Sequence, residues 1–332
     1  MSNTNLDVIG VGNAIVDVLA DAPEAFISDH GIPRGGMELI DAARAKTIYD
    51  AMAQGVEISG GSAANSIACV ASFGGRGGFV GKVADDALGA TFRDDLRNLG
   101  VAFDTPPLTD GAGTGRCLIN VTPDAQRSMS TFLGAAGEFA TDDVNADFVG
   151  RGAIVFFEGY LFEQPVARQA FIKASQIANS AGRKAAITLS DSGCVERNKD
   201  AFREFISNHV DILLANHLEA EALFGTDDEQ TLIAAARDMC PLSAVTRAEK
   251  GSLLIPRDGD PIYIQAVPPA QLIDTTGAGD AYAAGLLFGI ATGRDLETAG
   301  KLGSLAAAEV ISHYGARPEQ SLKAMAEAAG LI

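Results

Sequence analysis

The sequence predicts an α/β domain built on a largely parallel sheet, with a small antiparallel sheet inserted into it. Strand-like segments alternate with helical segments over most of the 332 residues, which is the rhythm of βαβ units. Two regions break that rhythm: residues 35–41, and residues 115–121 followed by 127–133 across the turn-forming Pro123-Asp124. Since 47% of the residues are hydrophobic, we expect one main domain with a sizeable core.

The predicted strands are short apolar runs bounded by turn residues, and the predicted helices have amphipathic or small-residue patterns. The strands cover residues 6–11, 78–83, 153–157, 185–189, 212–215 and 242–246, and 251–256 with 261–267 suggests a hairpin. The helices cover residues 64–73, 87–99, 164–180, 201–208, 278–292, 296–314 and 320–329. The helix at 64–73 is entered from a glycine turn, and the one at 87–99 ends at Gly100.

Composition excludes several classes of function. A formal net charge of −18 argues against a nucleic-acid partner, which needs a basic surface. The four cysteines form no CxxC pair and no zinc-like spacing with histidine, and they are expected to be free thiols. The first residues lack a secretory signal, and no apolar run has the length of a membrane span. We therefore expect a cytoplasmic protein that contacts no membrane.

The strongest motif covers residues 274–287, which read DTTGAGDAYAAGLL and open an apolar helix. Gly277, Ala278 and Gly279 carry little or no side chain, so ligand atoms can approach their amides at a helix N-terminus, where an anion is favoured. Asp280 follows in the first helical turn and can take the proton of an attacking hydroxyl. An isolated Asp after glycines more often only caps a helix, but the whole string favours a phosphoryl-transfer site.

A second glycine motif, over residues 60–89, begins GGSAANSIACV. Gly60 and Gly61 allow a tight turn before a helix, and Asn65 can both donate and accept hydrogen bonds to hydroxyls. Asp17 is a lone acid in an apolar stretch, so it is either paired or functional. A dinucleotide-binding fold is the alternative, but GVGNAI at 10–15 does not complete the GxGxxG pattern.

Together these motifs resemble the two signatures of the ribokinase-like (PfkB) carbohydrate and nucleoside kinases. The resemblance implies a three-layer α/β/α sandwich of nine or ten mostly parallel strands. It also implies a single domain over residues 1–332, with a small β-sheet lid from inserted segments near 33–41 and 113–134. The family assigns Asp280 as the catalytic base and the amides of Gly277, Ala278 and Gly279 as the anion hole. The acceptor would be bound by Asn13, Asp17, Gly60, Gly61 and Asn65.

The nucleotide half of the site is assigned by weaker matches. Asn216 and Glu219 fit a helix-capping box, and the family has an Asn-x-x-Glu here that is associated with magnesium and the triphosphate. Both roles can hold at once. Thr246 and Gly251 match the family's nucleotide turn, although Arg247-Ala248 replace its first glycine. By analogy, Asp274, Thr276 and the segment near residue 312 hold a monovalent cation such as K⁺.

The lid segment supplies further candidates. Arg116 and Arg127 could contact the substrate or the transferred phosphate, although an exposed strand arginine is the more common case. Phe132 and Phe139 could pack on an acceptor base, although aromatic residues usually belong to the core. His217 lies beside Asn216 and is expected to have a structural or solvent role.

The resemblance implies transfer of the γ-phosphoryl group of ATP, with Mg²⁺, to a hydroxymethyl group of a small molecule. The strings GNAIVD, GGSAANSI and DILLANHLEAEALFG look closest to the adenosine kinase branch, so adenosine is the first choice of acceptor. Ribose, fructose or a related sugar is the second. A non-catalytic ligand-binding descendant of the fold and an NAD-dependent oxidoreductase are the other classes. Family members often form homodimers through the lid.

Overall fold

The computed structural model describes residues 5–124 and 126–332 and confirms the predicted α/β class. Residues 1–4 of the predicted domain and residue 125 of the predicted lid segment lie outside the described residues. The strands are β1 Leu6–Val11, β2 Ile15–Asp21, β3 Met37–Leu39, β4 Val56–Gly60, β5 Gly77–Val80, β6 Ala102–Phe103, β7 Gly115–Val121, β8 Arg127–Phe132, β9 Gly152–Glu158, β10 Lys184–Thr188, β11 Ile212–Asn216, β12 Leu242–Thr246, β13 Ser252–Pro256 and β14 Ile262–Ile264.

The helices are mostly entered through a side chain that caps their first amides. Asp41, Asp86, Asp191, Asn216, Asp228, Asp295 and Ser321 all serve in this way. The helices are α1 Glu24–Asp29, α2 Ala42–Ala51, α3 Ser62–Ser72, α4 Ala87–Asn98, α5 Ala146–Val149, α6 Gly159–Phe162, α7 Pro165–Ser180, α8 Ser192–His209, α9 His217–Phe224, α10 Glu229–Met239, α11 Ala278–Ala291, α12 Leu296–Val310 and α13 Leu322–Ala328. No helix of the described ranges is long and apolar enough to cross a bilayer.

The large sheet has nine strands in the order β14-β13-β12-β11-β10-β9-β1-β5-β6. All neighbours are parallel except in the β12-β13-β14 meander, which contains the predicted hairpin. Alternate strand residues enter two separate cores: Phe156 and Leu214 lie in one, Phe157 and Leu213 in the other. Helices α3, α11 and α12 cover the first face and α7, α8 and α10 the second, which gives three layers.

The small sheet has five strands in the order β3-β8-β7-β2-β4. The prediction of an antiparallel sheet from two segments was incomplete, because β2 and β4 also belong to it. The predicted antiparallel pairing across the Pro123-Asp124 turn is confirmed for β7 and β8, whereas β2 pairs with β7, and β3 with β8, in parallel. Strand β2 follows β1 after only three residues and carries the chain from the large sheet into the small one.

The predicted helix at 296–314 ends earlier, at Val310. The following residues turn back toward the start of α11, so that Ala316 lies against Gly277 and Arg317 contacts Asn65. A helix continued to 314 would carry these residues away from the two glycine motifs. This early end therefore places the C-terminal segment at the functional site.

Candidate active site

A cavity of about 990 Å³ opens where the carboxyl ends of β9 to β12 meet the small sheet. In parallel α/β sheets this edge is where ligands bind, because the loops there leave a crevice. The large sheet and its loops contribute Asn13, Glu158, Thr188, Asn216, Glu219 and Thr246, α11 contributes Ala278, Gly279 and Asp280, and the small sheet contributes Ile15, Met37, Leu39, Cys117, Met129 and Thr131. One side of the cavity is thus polar and the other apolar.

Asp280 stands in the first turn of α11 and lines this cavity. The hydroxyl of Ser62, at the start of α3, donates to Asp280 Oδ1 at 2.5 Å. Burial raises the pKa of Asp280 to about 7, and the negative charge of Glu158 adds to the rise, whereas the Ser62 hydrogen bond opposes it. A carboxylate that is half ionised near neutral pH is suited to accept a proton.

The anion hole predicted at residues 277–279 has the required backbone shape. Gly277 caps α11 with φ of +79°, and a Cβ there would lie 2.6 Å from Cα of Ala316, so only glycine fits. Gly279 lines the cavity, and a Cβ there would meet no atom of the described residues within 4 Å. The amide of Ala278 donates to Thr275 O at 3.2 Å. Helix-start amides without an intrahelical partner remain for a ligand.

The predicted acceptor residues gather beside Asp280. Asn13 and Gly61 line the cavity, while Asp17, Gly60 and Asn65 contact the residues that do. A Cβ at Gly60 would lie 2.4 Å from the carboxyl group of Asp17, so this glycine makes room for the acid. Burial raises the pKa of Asp17 to about 6, against the opposing charges of Arg317 and Arg127. These residues form one group around the junction of β2, β4 and α3.

Glu158 and Arg317 belong to this group but were not predicted. Glu158 is 1% exposed and accepts hydrogen bonds from Asn13 Nδ2 at 2.5 Å and from the amide of Ala63 at 3.0 Å. Burial raises its pKa to about 6. Arg317 donates from Nε to Asn65 Oδ1 at 3.1 Å. A charged residue ending the apolar run AIVFFE was a signal for Glu158, but no local pattern connects Arg317 to Asn65.

On the nucleotide side, Asn216 and Glu219 form the predicted capping box. Glu219 Oε2 accepts from the amide of Asn216 at 2.9 Å, and the amide of Glu219 donates to Asn216 Oδ1 at 2.9 Å. Burial raises the pKa of Glu219 to about 7. The part of the chain that the structure describes holds no cluster of three or more His, Cys, Asp or Glu residues that could bind a metal. A magnesium ion here would need phosphate oxygens and water as its main ligands.

Thr246 lines the cavity at the end of β12, whereas Gly251 is not among the lining residues. Gly251 has φ of +80°, and a Cβ there would lie 1.9 Å from Ile264 O, so its lack of a side chain serves the packing of β13 and β14. The nucleotide contact of Gly251 stays a prediction. Arg247 pairs with Glu229 at 2.8 Å, and His217 is exposed outside the cavity lining, as expected for structural or solvent roles.

The lid candidates fall on different faces of the small sheet. Cys117 and Thr131 are paired and line the cavity, so their neighbours Arg116 and Phe132 point to the opposite face, where Arg116 lies 4.9 Å from the ring of Tyr49. The suggestion that Arg116 and Phe132 contact ligand was therefore wrong. Phe139 was also misplaced, since it is fully buried in the core.

Arg127 does lie on the cavity face, and it pairs with Asp274 at 2.9 Å. Its Nη2 atom is buried without a hydrogen-bond partner among the described residues. Asp274 also accepts from the amide and the hydroxyl of Thr276. The two residues predicted to hold a monovalent cation are therefore bonded to each other and to the lid.

Comparison with known proteins gives consistent matches. Residues 37–322 match the model of the pfkB family of carbohydrate kinases. The chain is similar to the adenosine kinase of Sinorhizobium meliloti, with 46% identity, a TM-score of 0.89, and coverage of 98% of this chain and 99% of that one. It is similar to a probable sugar kinase of Rhizobium etli CFN 42, with 42% identity, a TM-score of 0.90, and coverage of 99% and 100%. The adenosine kinase of Saccharomyces cerevisiae is 28% identical over 329 residues, 93% of this chain and 95% of its own.

Proposed function

The chain belongs to the pfkB family of carbohydrate kinases, and we propose that it transfers the γ-phosphoryl group of MgATP to the hydroxymethyl group of adenosine. Family membership makes it a kinase that acts on a nucleoside or a sugar. A non-catalytic binding protein has no use for a base beside an anion hole, and an NAD-dependent oxidoreductase would not match this family. The acceptor and the role of each residue below are part of the proposal.

The observation that carries the proposal is the position of Asp280. Its carboxylate lies beside helix-start amides in a cavity large enough for two small ligands. We assign it as the general base that removes the proton from the acceptor hydroxyl as the oxygen attacks the γ-phosphorus. The Ser62 hydroxyl donates to Oδ1, and the side chain of Asn65 also forms a hydrogen bond that lowers the pKa of Asp280, so both contacts position the carboxylate. A positioned base of this kind contributes roughly 10²–10⁴-fold to the rate.

Negative charge on the transferred phosphoryl group would be stabilised from two sides. The free amides at the start of α11 approach it from the large sheet, at a helix terminus that favours anions. Arg127 approaches from the lid, and its unpartnered Nη2 atom is the group that we assign to a phosphate oxygen. Lid closure would then exclude water from the reaction and suppress hydrolysis of ATP.

The donor would lie over the ends of β11 and β12, near Asn216 and Thr246. Glu219 would help to hold a magnesium ion near the phosphates, and that ion would supply positive charge to offset the negative charge of the triphosphate. Both carboxylate oxygens of Glu219 already accept hydrogen bonds from Asn216, so contact through water fits better than direct ligation.

Adenosine fits the acceptor half better than a simple sugar because that half has two chemically distinct parts. Asp17 and Asn13 can bind the hydroxyls of a ribose ring. Beyond them, the lid presents the apolar side chains of Met37, Leu39 and Met129 to the cavity. This apolar wall suits a planar base. A free sugar would place only hydroxyl groups or water against these side chains.

A panel of acceptors tests this choice. With MgATP and a coupled assay for ADP, adenosine should give a higher kcat/KM than inosine, ribose or fructose. Replacing Met129 by Thr should raise the KM for adenosine by about tenfold, because a buried Met side chain is worth roughly 1.5–3 kcal/mol, and should hardly change that for ribose. A sugar as the preferred acceptor, with no effect of Met129→Thr, would make the protein a sugar kinase.

The lid face also supports the expected homodimer. Val56 and Ile58, on the edge strand β4 of the small sheet, are 63% and 38% exposed and belong to the face that continues out of the cavity. A second copy of the lid is the occupant that we propose for this apolar face. Light scattering during gel filtration should give twice the monomer mass, and Val56→Lys should shift the protein toward monomer. A wild-type monomer at micromolar concentration would rule the dimer out.

A further inference from the structure

The carboxylate of Asp274 has every acceptor position filled. Its Oδ1 accepts from the amide of Thr276 at 3.0 Å and from the Thr276 hydroxyl at 2.7 Å. Its Oδ2 accepts from the amide of Gly315 at 3.1 Å and forms an ion pair with Nη1 of Arg127 at 2.9 Å. An ionised carboxylate offers about four lone-pair positions, so these three hydrogen bonds and the ion pair leave none for a metal ion.

The ion pair is well shielded from water. The side chains of Arg127 and Asp274 are 12% and 11% exposed, and the Arg127 guanidinium lies 5.4 Å from the centre of the Tyr314 ring. Hydrogen bonds from Thr276 and Gly315, with the nearby charge of Arg127, hold the pKa of Asp274 below its usual range despite its burial. A shielded carboxylate of this kind requires a counter-charge, and the guanidinium is the cation that contacts it among the described residues.

The pair connects the lid to the loop that carries the anion hole. Arg127 begins β8 of the small sheet, and Asp274 lies three residues before Gly277. The amides of Ile273 and Asp274 donate to Ile311 O, and that of Gly315 donates to Asp274, so the loop is fixed to the segment after α12. The charge of Asp274 therefore orders residues on both sides of the helix start.

We infer that the guanidinium of Arg127 is a built-in cation for the anion-hole loop, so that this kinase needs no monovalent metal ion. The residues predicted to bind K⁺ do not fit a free ion while Arg127 is in place. Because Arg127 belongs to the lid, the counter-charge reaches Asp274 when the lid is closed over the cavity. The activity measurements below rest on the proposed kinase function, whereas the measurements of thermal stability do not.

The first test compares the wild-type enzyme in chloride salts of K⁺, Na⁺ and tetramethylammonium at equal ionic strength, with ATP as its Tris salt. The rate should be the same within about twofold in all three, because Asp274 has no free position for an ion. A wild-type rate that rises about tenfold in K⁺ relative to tetramethylammonium would overturn the inference, since that gain corresponds to about 1.4 kcal/mol of ion-specific stabilisation.

The second test removes the built-in cation. Arg127→Met should be stabilised against heat by K⁺ or by millimolar guanidinium relative to tetramethylammonium, and part of its lost activity should return with guanidinium. The wild type should show neither effect. Arg116→Met is the matched control, because Arg116 lies on the neighbouring strand but on the opposite face, against Tyr49. A folded Arg127→Met variant that responds to neither ion would contradict the inference.

Two further points keep the test decisive. If Arg127→Met does not fold, Arg127→Lys keeps the positive charge and should remain independent of K⁺. A requirement for K⁺ in the folded Arg127→Lys variant, or in the wild type, would overturn the inference. If no acceptor is phosphorylated at all, the proposed function fails, while the dependence of thermal stability on K⁺ still decides the role of Arg127.

Discussion

The surroundings of Asp280 shift its pKa in opposite directions. Burial disfavours its charge, as does the nearby Glu158, while the Ser62 hydroxyl favours it. A base with a pKa of about 7 is ionised in a large fraction of molecules at neutral pH and still binds a proton strongly. Burial of a carboxylate would therefore serve catalysis even though it costs stability.

The acid limb of the pH–rate profile should report this carboxylate. Measured at low MgATP, kcat/KM for the acceptor should rise with pH and level off above about pH 7, because the base must be deprotonated. Ser62→Ala should move that limb upward by about one pH unit, since a hydrogen bond to the charged form is lost. Ser66→Ala, one turn further along α3, removes a hydroxyl that donates to Ser62 O and should leave the limb unmoved. An unchanged limb in Ser62→Ala would remove Asp280 as the titrating group.

The same burial makes Asp280 destabilising when ionised. Its pKa is higher in the folded state than the value of 3.8 of a free side chain, so the fold is favoured below that value and loses stability as pH rises through about 7. Asp280→Asn should therefore unfold at a higher temperature than the wild type at pH 8, by on the order of 2 kcal/mol, and by less at pH 5. Equal stability at both pH values would show that the carboxyl is not buried in solution.

Asn216, at the start of helix α9, has one observed role and one proposed role. Asn216 caps the helix, and the same amide lines the cavity where we place the nucleotide. Sequence alone could not separate these roles; the structure shows the cap, and the nucleotide contact stays a prediction. The capping box also fixes Glu219, so a change at Asn216 affects the proposed magnesium region as well.

Substitutions at this cap can separate its two roles. Asn216→Ser keeps a capping oxygen and should retain stability, whereas Asn216→Ala should lose about 1 kcal/mol. Both should raise the KM for MgATP if the amide contacts the nucleotide. Asp228→Ala removes the comparable cap of α10, outside the cavity lining, and should lower stability without changing that KM. A wild-type KM in Asn216→Ser would leave the residue with a structural role only.

The large sheet could be predicted from sequence because its strands are continuous apolar runs buried on both faces. Strands β2 and β4 could not, because Asp17 interrupts the apolar pattern of β2, and Glu57 and Ser59 interrupt that of β4. The early end of α12 was missed for a related reason. It depends on contacts of Gly315, Ala316 and Arg317 with residues far away in the chain, and no local signal records them.

The candidate site was predictable where a motif is local and unpredictable where two distant segments meet. Asp280 and its glycines lie within one short string, and the resemblance to a kinase family identified them. The Arg127–Asp274 pair joins residues far apart in sequence, as does the Ser62–Asp280 hydrogen bond. Arg116 and Phe132 were misplaced because the face to which a strand residue points depends on register, which the sequence does not give directly.

The molecule as a whole consists of a rigid three-layer body and a smaller sheet that covers its ligand edge. The cavity between them is lined by both, so binding and lid position are expected to be coupled. Since the chain contains no tryptophan, a single introduced indole would report this movement without background. Leu39, on lid strand β3, lines the cavity and is more than half exposed, which makes it a suitable position.

Acceptor binding should close the lid over this reporter. In Leu39→Trp, adenosine without ATP should shift the fluorescence to shorter wavelength, because closure removes water from the indole. Leu99→Trp, at the end of α4 and outside the cavity lining, should not respond. An identical response of the two variants would indicate a general effect of the ligand, and no response in Leu39→Trp at saturating adenosine would show that the small sheet does not move as a lid.

The most direct measurement compares phosphoryl transfer by the wild type and Asp280→Asn with MgATP and adenosine, alongside calorimetric binding of each ligand. We predict that kcat falls by roughly 10²–10⁴-fold while both dissociation constants stay nearly unchanged, because the carboxylate acts on the proton of the attacking hydroxyl. A variant that keeps kcat within about tenfold of the wild type would contradict the assignment of Asp280 as the base. Loss of ligand binding in step with activity would contradict it as well, since Asp280 would then be needed for binding.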